Sequence, residues 1–291
     1  MDAVITYVNG MEPNWRLQYN TYVGGYMVEN KFLDYGTLKF VLRGISEHMK
    51  FIDRVFLVVS SLEQVPDYIN NNVIIITHEQ FIPKEYLPTF NANTIETFLW
   101  NIPDLSDQFI FFNDDMIPIG ELKYEDFFKS EKPCISFREK KTESFQFNNI
   151  IFYDNILSCL ISKFKERKLF LWNYHIMTPF LKKEYYNAYL YNKKQICERI
   201  TPLRSSTQIS QHYFSNWLYY SDNYNEHYIS HTYLNTKIYS QEFKNLFKEI
   251  NVKVICINDN GPFLDKTVLE TYHIINDELF KKMPNKCKYE K

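Results

Sequence analysis

Short runs of β-branched, aliphatic and aromatic residues recur along the chain and set the strongest limit on its fold. They are residues 3–8 (AVITYV), 54–61 (RVFLVVSS), 73–77 (VIIIT), 109–113 (FIFFN) and 252–257 (VKVICI). Strands that are apolar at nearly every position are typical of parallel sheets that helices cover on both faces. The sequence therefore predicts an α/β fold with a mostly parallel, Rossmann-like sheet flanked by helices.

Segments with helical spacing lie between and after these strands. Residues 34–49 carry apolar side chains at every third or fourth position, with Asp34 as a candidate helix cap. Further helices are predicted over residues 94–100, 154–167, 181–197, 207–220, 240–250 and 265–282. We predict a single domain over residues 1–291, with a helical insertion or lid over residues 120–250.

Composition narrows the class of protein. The 291 residues carry a net charge of −2, which does not predict nucleic-acid binding, and the seven glycines form neither GxGxxG nor GxxxxGK[ST]. The five cysteines form no CxxC, which argues against a disulfide framework or a zinc cluster and favours a reducing compartment. We find no signal peptide and no bilayer-spanning run, so we expect a cytoplasmic protein. The basic residues 281–291 suit at most a peripheral contact with the inner face of the membrane, or a solvated terminus.

Polar residues end three predicted strands: Asn9, Ser60–Ser61 and Asn113–Asp115. In a parallel sheet these ends share one edge, and ligands bind beyond it. The carboxylates of Asp114 and Asp115 suit Mg²⁺ or Mn²⁺, although a turn capped by two aspartates fits the same residues. Asp259 follows the last strand and either completes a metal and phosphate site or belongs to an ordinary turn.

Three other residues are candidates for chemistry, each with a structural alternative. Glu96 begins a predicted helix, where a carboxylate also serves as a cap. His175 lies in an aromatic-flanked loop and could act as a general base, or it is a packed histidine. Arg204 suits phosphate oxygens, and a solvated surface arginine is the alternative.

These residues belong to four blocks in which the chain resembles the Stealth proteins. The first block is residues 2–15, and the second runs from about Asp34 to Met116 with the LPTFNANTIE loop and FFNDDM. The third is looser and centres on His175 and Arg204, and the fourth is ICINDN with the tail to Pro284. The second block is the specific one, because loop, helix and NDD occur together at the family's spacing.

The resemblance implies a function and an active site. Stealth proteins are bacterial capsule-polysaccharide phosphotransferases related to the catalytic core of the animal lysosomal-enzyme N-acetylglucosamine-1-phosphotransferase, and a GT-A-like sheet is expected. Carried over position by position, the implied active site is Glu96, Asp115, His175, Arg204 and Asp259. The implied nucleotide-sugar contacts lie at or near Asn9, Gly10, Asp34, Arg43, Asn93 and Asp114. The chain has Asn9 where members have aspartate, and Leu33 where members often have arginine.

The expected reaction is transfer of a hexose- or N-acetylhexosamine-1-phosphate from a UDP-sugar to a hydroxyl of a cell-surface glycan or a lipid-linked glycan precursor, with release of UMP. Asp115 and Asp259 are expected to hold Mg²⁺ or Mn²⁺, Arg204 to neutralise phosphate oxygens, and His175 to accept the hydroxyl proton. Two alternatives remain open at this stage. One is a metal-dependent glycosyltransferase that releases UDP, and the other is a non-catalytic nucleotide-sugar binding protein.

Overall fold

The computed structural model of the chain describes residues 1–25, 32–141, 160, 169–205, 207–235, 250–258 and 266–291. The strands are β1 (Asp2–Thr6), β2 (Arg54–Val59), β3 (Val73–Thr77), β4 (Gln108–Asn113), β5 (Met116–Pro118), β6 (Phe128–Lys129), β7 (Lys132–Ile135), β8 (Phe137–Lys141), β9 (Leu169–Asn173), β10 (Thr178–Leu181), β11 (Asn225–Glu226), β12 (His231–Asn235) and β13 (Val254–Asn258). The α-helices are α1 (Pro13–Val23), α2 (Thr37–His48), α3 (Ala92–Thr97), α4 (Tyr124–Phe127), α5 (Lys182–Tyr191), α6 (Lys193–Cys197), α7 (Gln211–Tyr220) and α8 (Lys266–Lys282).

The central sheet confirms the α/β class and the mostly parallel pairing. Its strand order is β10-β4-β1-β2-β3. β1 lies between β4 and β2 and pairs parallel with both, and β2 pairs parallel with β3. Only β10, at one edge of this sheet, pairs antiparallel with its neighbour. The carboxyl ends of β1, β2 and β4 therefore lie side by side.

Alternate residues of the central strands enter two separate hydrophobic cores. Ala3 and Ile5 of β1 pack into the core that contains α2 and the end of α8, whereas Val4 packs into the core that contains α5 and α7. β2 and β4 follow the same alternation. Because the sheet is buried on both faces, these strands are apolar at successive positions, which is the pattern the sequence shows.

Two smaller elements extend the fold around the ends of the central strands. The first is a three-stranded sheet of order β12-β13-β5, in which β5 pairs antiparallel with β13. A two-residue turn separates β5 from the end of β4. Residues 120–250, predicted as a helical insertion, contain the described helices α4, α5, α6 and α7 together with short strands such as β7 and β9. The helices predicted near 154–167 and 240–250 lie almost entirely outside the described residues. Among the described residues, no helix is long and apolar enough to cross a bilayer.

The carboxyl-terminal residues are joined to α2 by a buried ion pair. The guanidinium of Arg43 donates to both carboxylate oxygens of Glu290, at 2.7 and 2.8 Å, and to the carbonyl of Met283 at 2.6 Å. Both side chains of the pair are at least 95% buried, with exposures of 5% and 2%. Removing one partner of such a pair leaves an uncompensated buried charge, which costs about 3–5 kcal/mol.

We therefore expect Glu290→Ala to lower the free energy of unfolding by about 3 kcal/mol, measured by urea denaturation. The matched control is Glu198→Ala, because Glu198 pairs with Lys194 on the surface, where both side chains are more than half exposed. That change should cost less than about 1 kcal/mol. Equal losses in the two variants would contradict a stabilising role for the buried pair.

Candidate active site

A cavity of about 700 Å³ opens at the carboxyl edge of the central sheet. It is bordered by the ends of β1, β2 and β4, by α3 and by the segments that precede α2 and α7. Of the predicted site residues, those that line it are Asn93, Glu96, Asp114, Asp115, His175 and Arg204. These residues come from four separate parts of the chain, so the fold brings them together from a distance.

Asp114 and Asp115 form the two-residue turn between β4 and β5. The backbone carbonyl of Asp115 accepts a hydrogen bond from the Ile257 N–H at 3.1 Å, which ties the turn to β13. Burial raises the pKa of the Asp114 carboxyl well above its ordinary value, and the charges of Asp115 and Asp34 raise it further. A group with such a raised pKa favours a proton or a nearby cation.

The pairing of β13 with β5 brings two more polar side chains to this turn. In the register Cys256 lies opposite Met116, so Asn258 falls at the level of Asp114. The Cys256 thiol donates to Asp115 Oδ2 with an Sγ–O distance of 3.4 Å. Asp259, predicted as a metal ligand, lies outside the described residues.

His175 lies in the turn between β9 and β10 and points toward Asp115. Its Nε2 is 3.6 Å from Asp115 Oδ2, and its side chain is 34% exposed. Burial acts to lower the pKa of the imidazole, but the carboxylates of Asp115 and Glu96 outweigh that effect and raise it. The turn is held from both sides, because Tyr174 N–H donates to Ser136 O and Asn173 donates to Ser215.

Glu96 and Arg204 are two further charged residues in the cavity wall. The Glu96 carboxylate is buried and accepts from the backbone N–H of Gln211, the first residue of α7. Burial raises the pKa of Glu96 to about 7, while the charge of Arg204 opposes that shift. Arg204 itself is exposed, as a group that meets an incoming anion must be.

The loop that carries Arg204 is fixed to the loop before α3. The Phe90 N–H donates to Pro202 O at 2.8 Å, and the Asn91 side chain donates to the carbonyls of Thr201 and Leu203. Asn91 is the N-cap residue of α3, and its side chain accepts from the Asn93 N–H. Asn93 keeps its side chain in the cavity wall, 3.5 Å from Gln208 Oε1.

Asp34 lies beside the cavity and has two structural partners. Its Oδ2 accepts from the Tyr7 hydroxyl at 2.7 Å, and its Oδ1 accepts from the Gly36 N–H at 2.7 Å. Gly36, with a φ of 74°, is the N-cap residue of α2, so Asp34 holds the entry to that helix without occupying the cap position predicted for it.

Besides Asp34, three predicted contact residues do not line the cavity. The Asn9 side chain accepts from Met11 N–H and closes a local turn. Gly10 packs against the backbone of Phe32, and a Cβ at Gly10 would come within 2.7 Å of the Phe32 carbonyl oxygen. Arg43 is engaged by Glu290 in the ion pair described above. Each has a structural reason for its identity in this chain.

Several other residues that line the cavity were not predicted from the sequence as site residues. Trp15, Phe32 and Phe90 form an aromatic wall, with Trp15 5.0 Å from Phe32 and 5.4 Å from Phe90 between ring centroids. His78 lies in the cavity wall at the end of β3, although it is only 6% exposed. Aromatic residues are so frequent in this sequence that position alone could not distinguish these.

The oxygen atoms at the Asp115 turn fit a hard divalent cation. Among the described residues, Asp115 Oδ1 and Asn258 Oδ1 are buried side-chain oxygens without a hydrogen-bond partner. Leaving such an atom unsatisfied costs about 1–3 kcal/mol, which a bound cation would offset. Oxygen ligands from one or two side chains, completed by substrate phosphates and water, are what Mg²⁺ prefers.

Comparison with known proteins places this chain in a described family. The family model for Stealth protein CR2, conserved region 2, matches residues 31–135. The capsular polysaccharide phosphotransferase eps5J of Streptococcus thermophilus is 35% identical over 165 residues, covering 53% of this chain and 68% of that protein. WcwK of Streptococcus pneumoniae, a capsular polysaccharide phosphotransferase, is 26% identical over 339 residues, covering 100% of this chain and 99% of that protein.

One further relative and one solved structure also align with this chain. Cps1A of Actinobacillus pleuropneumoniae, also a capsular polysaccharide phosphotransferase, is 32% identical over 154 residues, covering 49% of this chain and 42% of that protein. Among solved structures, the galactosyltransferase LgtC in complex with donor and acceptor sugar analogues aligns with a TM-score of 0.47 at 10% identity. That alignment covers 98% of this chain and 97% of LgtC.

The buried imidazole of His78 gives the cavity wall a pH-dependent stability. Burial lowers the pKa of His78 from 6.5 to about 4 in the folded protein. Burial of the neutral histidine has no pH-dependent cost above about pH 6.5. As the pH drops toward 4, the free energy of unfolding falls by roughly 3 kcal/mol in total. We expect His78→Asn to flatten that decline in urea denaturation, whereas His273→Asn, at an exposed site on α8, should not. Parallel curves for wild type and His78→Asn would contradict this expectation.

Proposed function

This chain belongs to the Stealth family, and on that premise we propose that it is a sugar-phosphate transferase that uses a nucleotide-sugar donor. The donor we propose is a UDP-sugar, the transferred group is a hexose- or N-acetylhexosamine-1-phosphate, and the acceptor is a hydroxyl of a capsular or other cell-surface glycan. The observation that supports this most is the convergence of Asp115, His175 and Arg204 in one cavity. Relatives named capsular polysaccharide phosphotransferases support the same class of reaction.

The size and polarity of the cavity suit a nucleotide-sugar. Its volume of about 700 Å³ lies within the range of about 300–1,000 Å³ that small-molecule sites occupy. The aromatic wall of Trp15 and Phe90 lines one part of it, and the charged residues line another. We propose that the diphosphate lies at the charged part, between the Asp115 turn and Arg204.

The proposed reaction is an attack of the acceptor hydroxyl on the β-phosphorus of the donor. A new P–O bond forms to the acceptor oxygen, the P–O bond to UMP breaks, and the hydroxyl proton passes to the imidazole of His175. When bound, Mg²⁺ or Mn²⁺ supplies positive charge to the diphosphate. Asp115 and Asn258 would hold it, and Asp259, next in the chain, stays a predicted ligand.

Arg204 and Glu96 have supporting roles in this proposal. The exposed guanidinium of Arg204 would donate to the oxygens of the transferred phosphoryl group, where the planar fork of arginine suits phosphate geometry. Glu96, fixed at the start of α7 by the Gln211 N–H, would bind a sugar hydroxyl or orient Arg204. Asp34 and Asn93, at the edge of the cavity, are proposed to contact the donor.

The identity of the nucleotide product tests the proposed reaction. We expect the purified protein, given a panel of UDP-sugars, Mg²⁺ or Mn²⁺ and a glycan acceptor, to release UMP. Chromatography of the nucleotides distinguishes the outcomes. Release of UDP would show cleavage at the sugar carbon and a glycosyltransferase, and a donor that binds without being consumed would show a binding protein.

Variants of the Asp115–His175 pair test the assignment of roles. His175→Gln should lower the transfer rate by about 10²–10⁴-fold, because a general base contributes that much. Asp115→Asn should abolish the metal-dependent transfer, because it removes a ligand of the metal ion. The matched control is His227→Gln, because His227 lies 3.0 Å from Asp126 in a similar pair outside the cavity. Near-normal transfer by His175→Gln would remove the imidazole from the mechanism.

Arg204→Gln should lower the transfer rate by about 10²–10³-fold, the usual cost of removing one donor to a developing charge. The control is Arg199→Gln, because Arg199 lies five residues earlier on the same segment and donates to Gln195 O outside the cavity. Rates for donor consumption in single turnovers measure the effect. Equal rates in the two variants would exclude a direct contact between Arg204 and phosphate.

A further inference from the structure

Cys256 places a sulfur atom in the cluster that contains Asp115 and His175. Its side chain is fully buried on β13, with a relative exposure of 0%. The thiol donates to Asp115 Oδ2 at 3.4 Å, and His175 Nε2 approaches the same oxygen at 3.6 Å. The proposed transfer reaction assigns Cys256 no role.

Two of the three distances between the ligand atoms match the spacing that a tetrahedral metal ion imposes. Zinc bonds of about 2.0–2.3 Å to oxygen, nitrogen and sulfur put neighbouring ligand atoms about 3.3–3.6 Å apart. The O–S and O–N distances of 3.4 and 3.6 Å already match this range. All three atoms lie within 4.8 Å of one another, so binding requires at most an approach of about 1 Å between Nε2 and Sγ.

His175 is the member of the cluster that is free to make this adjustment. Its side chain is 34% exposed, whereas Cys256 is fully buried within β13. The exposed side of His175 faces the cavity and leaves room for a fourth ligand, such as water. Three protein ligands and one open position are the arrangement of accessible zinc sites.

We propose that Asp115 Oδ2, His175 Nε2 and Cys256 Sγ form a binding site for a thiophilic divalent ion and that this site prefers Zn²⁺ to Mg²⁺. Thiolate and imidazole ligands favour Zn²⁺ and Co²⁺, and Mg²⁺ binds poorly to either. Binding replaces the thiol proton, which is released to solvent, and the Zn–S bond takes the place of the S–H···O hydrogen bond. Thiolate, carboxylate and neutral imidazole together balance the charge of the ion to zero.

One functional consequence rests on the proposed function. An ion on Nε2 of His175 lowers the basicity of the imidazole that would accept the hydroxyl proton. Transfer activity should therefore fall as Zn²⁺ occupies the site, even when Mg²⁺ is present in excess. Failure of the transferase assignment would leave the binding site itself untouched.

Binding is tested without any donor sugar, by titrating the chelator-treated full-length chain with Co²⁺. A thiolate-to-cobalt absorption band in the near ultraviolet, with strong visible bands, reports tetrahedral coordination by sulfur. We expect the band in the wild-type protein and in Cys134→Ser, which changes a buried thiol far from the cavity. Zn²⁺ should displace Co²⁺ and remove the band, whereas an excess of Mg²⁺ should not.

Three variants decide the ligand set. Cys256→Ser should lose the thiolate band, and His175→Gln and Asp115→Asn should each weaken Co²⁺ binding at least about 10-fold. Circular dichroism checks that each variant is folded, and the latter two retain the thiol if Cys256→Ser does not fold. A wild-type protein without the band, or a band that survives in folded Cys256→Ser, would overturn the proposal and leave Cys256 as a hydrogen-bond donor to Asp115.

Discussion

The antiparallel pairing of β5 with β13 is the contact on which the rest of the site depends. β5 begins immediately after Asp115, and the Ile257 N–H of β13 donates to the Asp115 carbonyl. This pairing joins segments about 140 residues apart. It fixes the backbone of the turn and places Cys256 and Asn258 beside it. Without it, the two carboxylates of the turn after β4 would lose Cys256 and Asn258 as neighbours.

The central sheet could be predicted because burial on both faces makes its strands apolar at successive positions, and α2 because one face is apolar at helical spacing. β5 could not, because three residues carry no periodicity and its partner is distant in sequence. Arg43 was predicted to contact the donor from sequence resemblance, and its bond to Glu290, 247 residues away, has no local signal. The role of Cys256 could not be predicted either, because a cysteine inside an apolar run resembles any buried strand residue.

The charge of the cavity constrains what it can bind. Burial raises the pKa of Asp114, and the nearby charges of Asp115 and Asp34 raise it further. A diphosphate brought to this edge would meet like charge. Arg204, which lines the same cavity, offsets part of that repulsion, and a cation held at the turn would offset more. The carboxylates are therefore compatible with a phosphate-containing substrate only when a positive charge lies between them and it.

The two oxygens of Asp115 face different chemical surroundings. Oδ1 is buried without a hydrogen-bond partner among the described residues, as is Asn258 Oδ1, and both atoms suit a hard cation. Oδ2 instead meets the Cys256 thiol and the His175 imidazole, which suit a softer one. A single carboxylate thus contributes to two ligand sets of opposite preference. Because affinity alone favours Zn²⁺ over Mg²⁺ wherever sulfur is present, the relative availability of the two ions would decide which set is occupied.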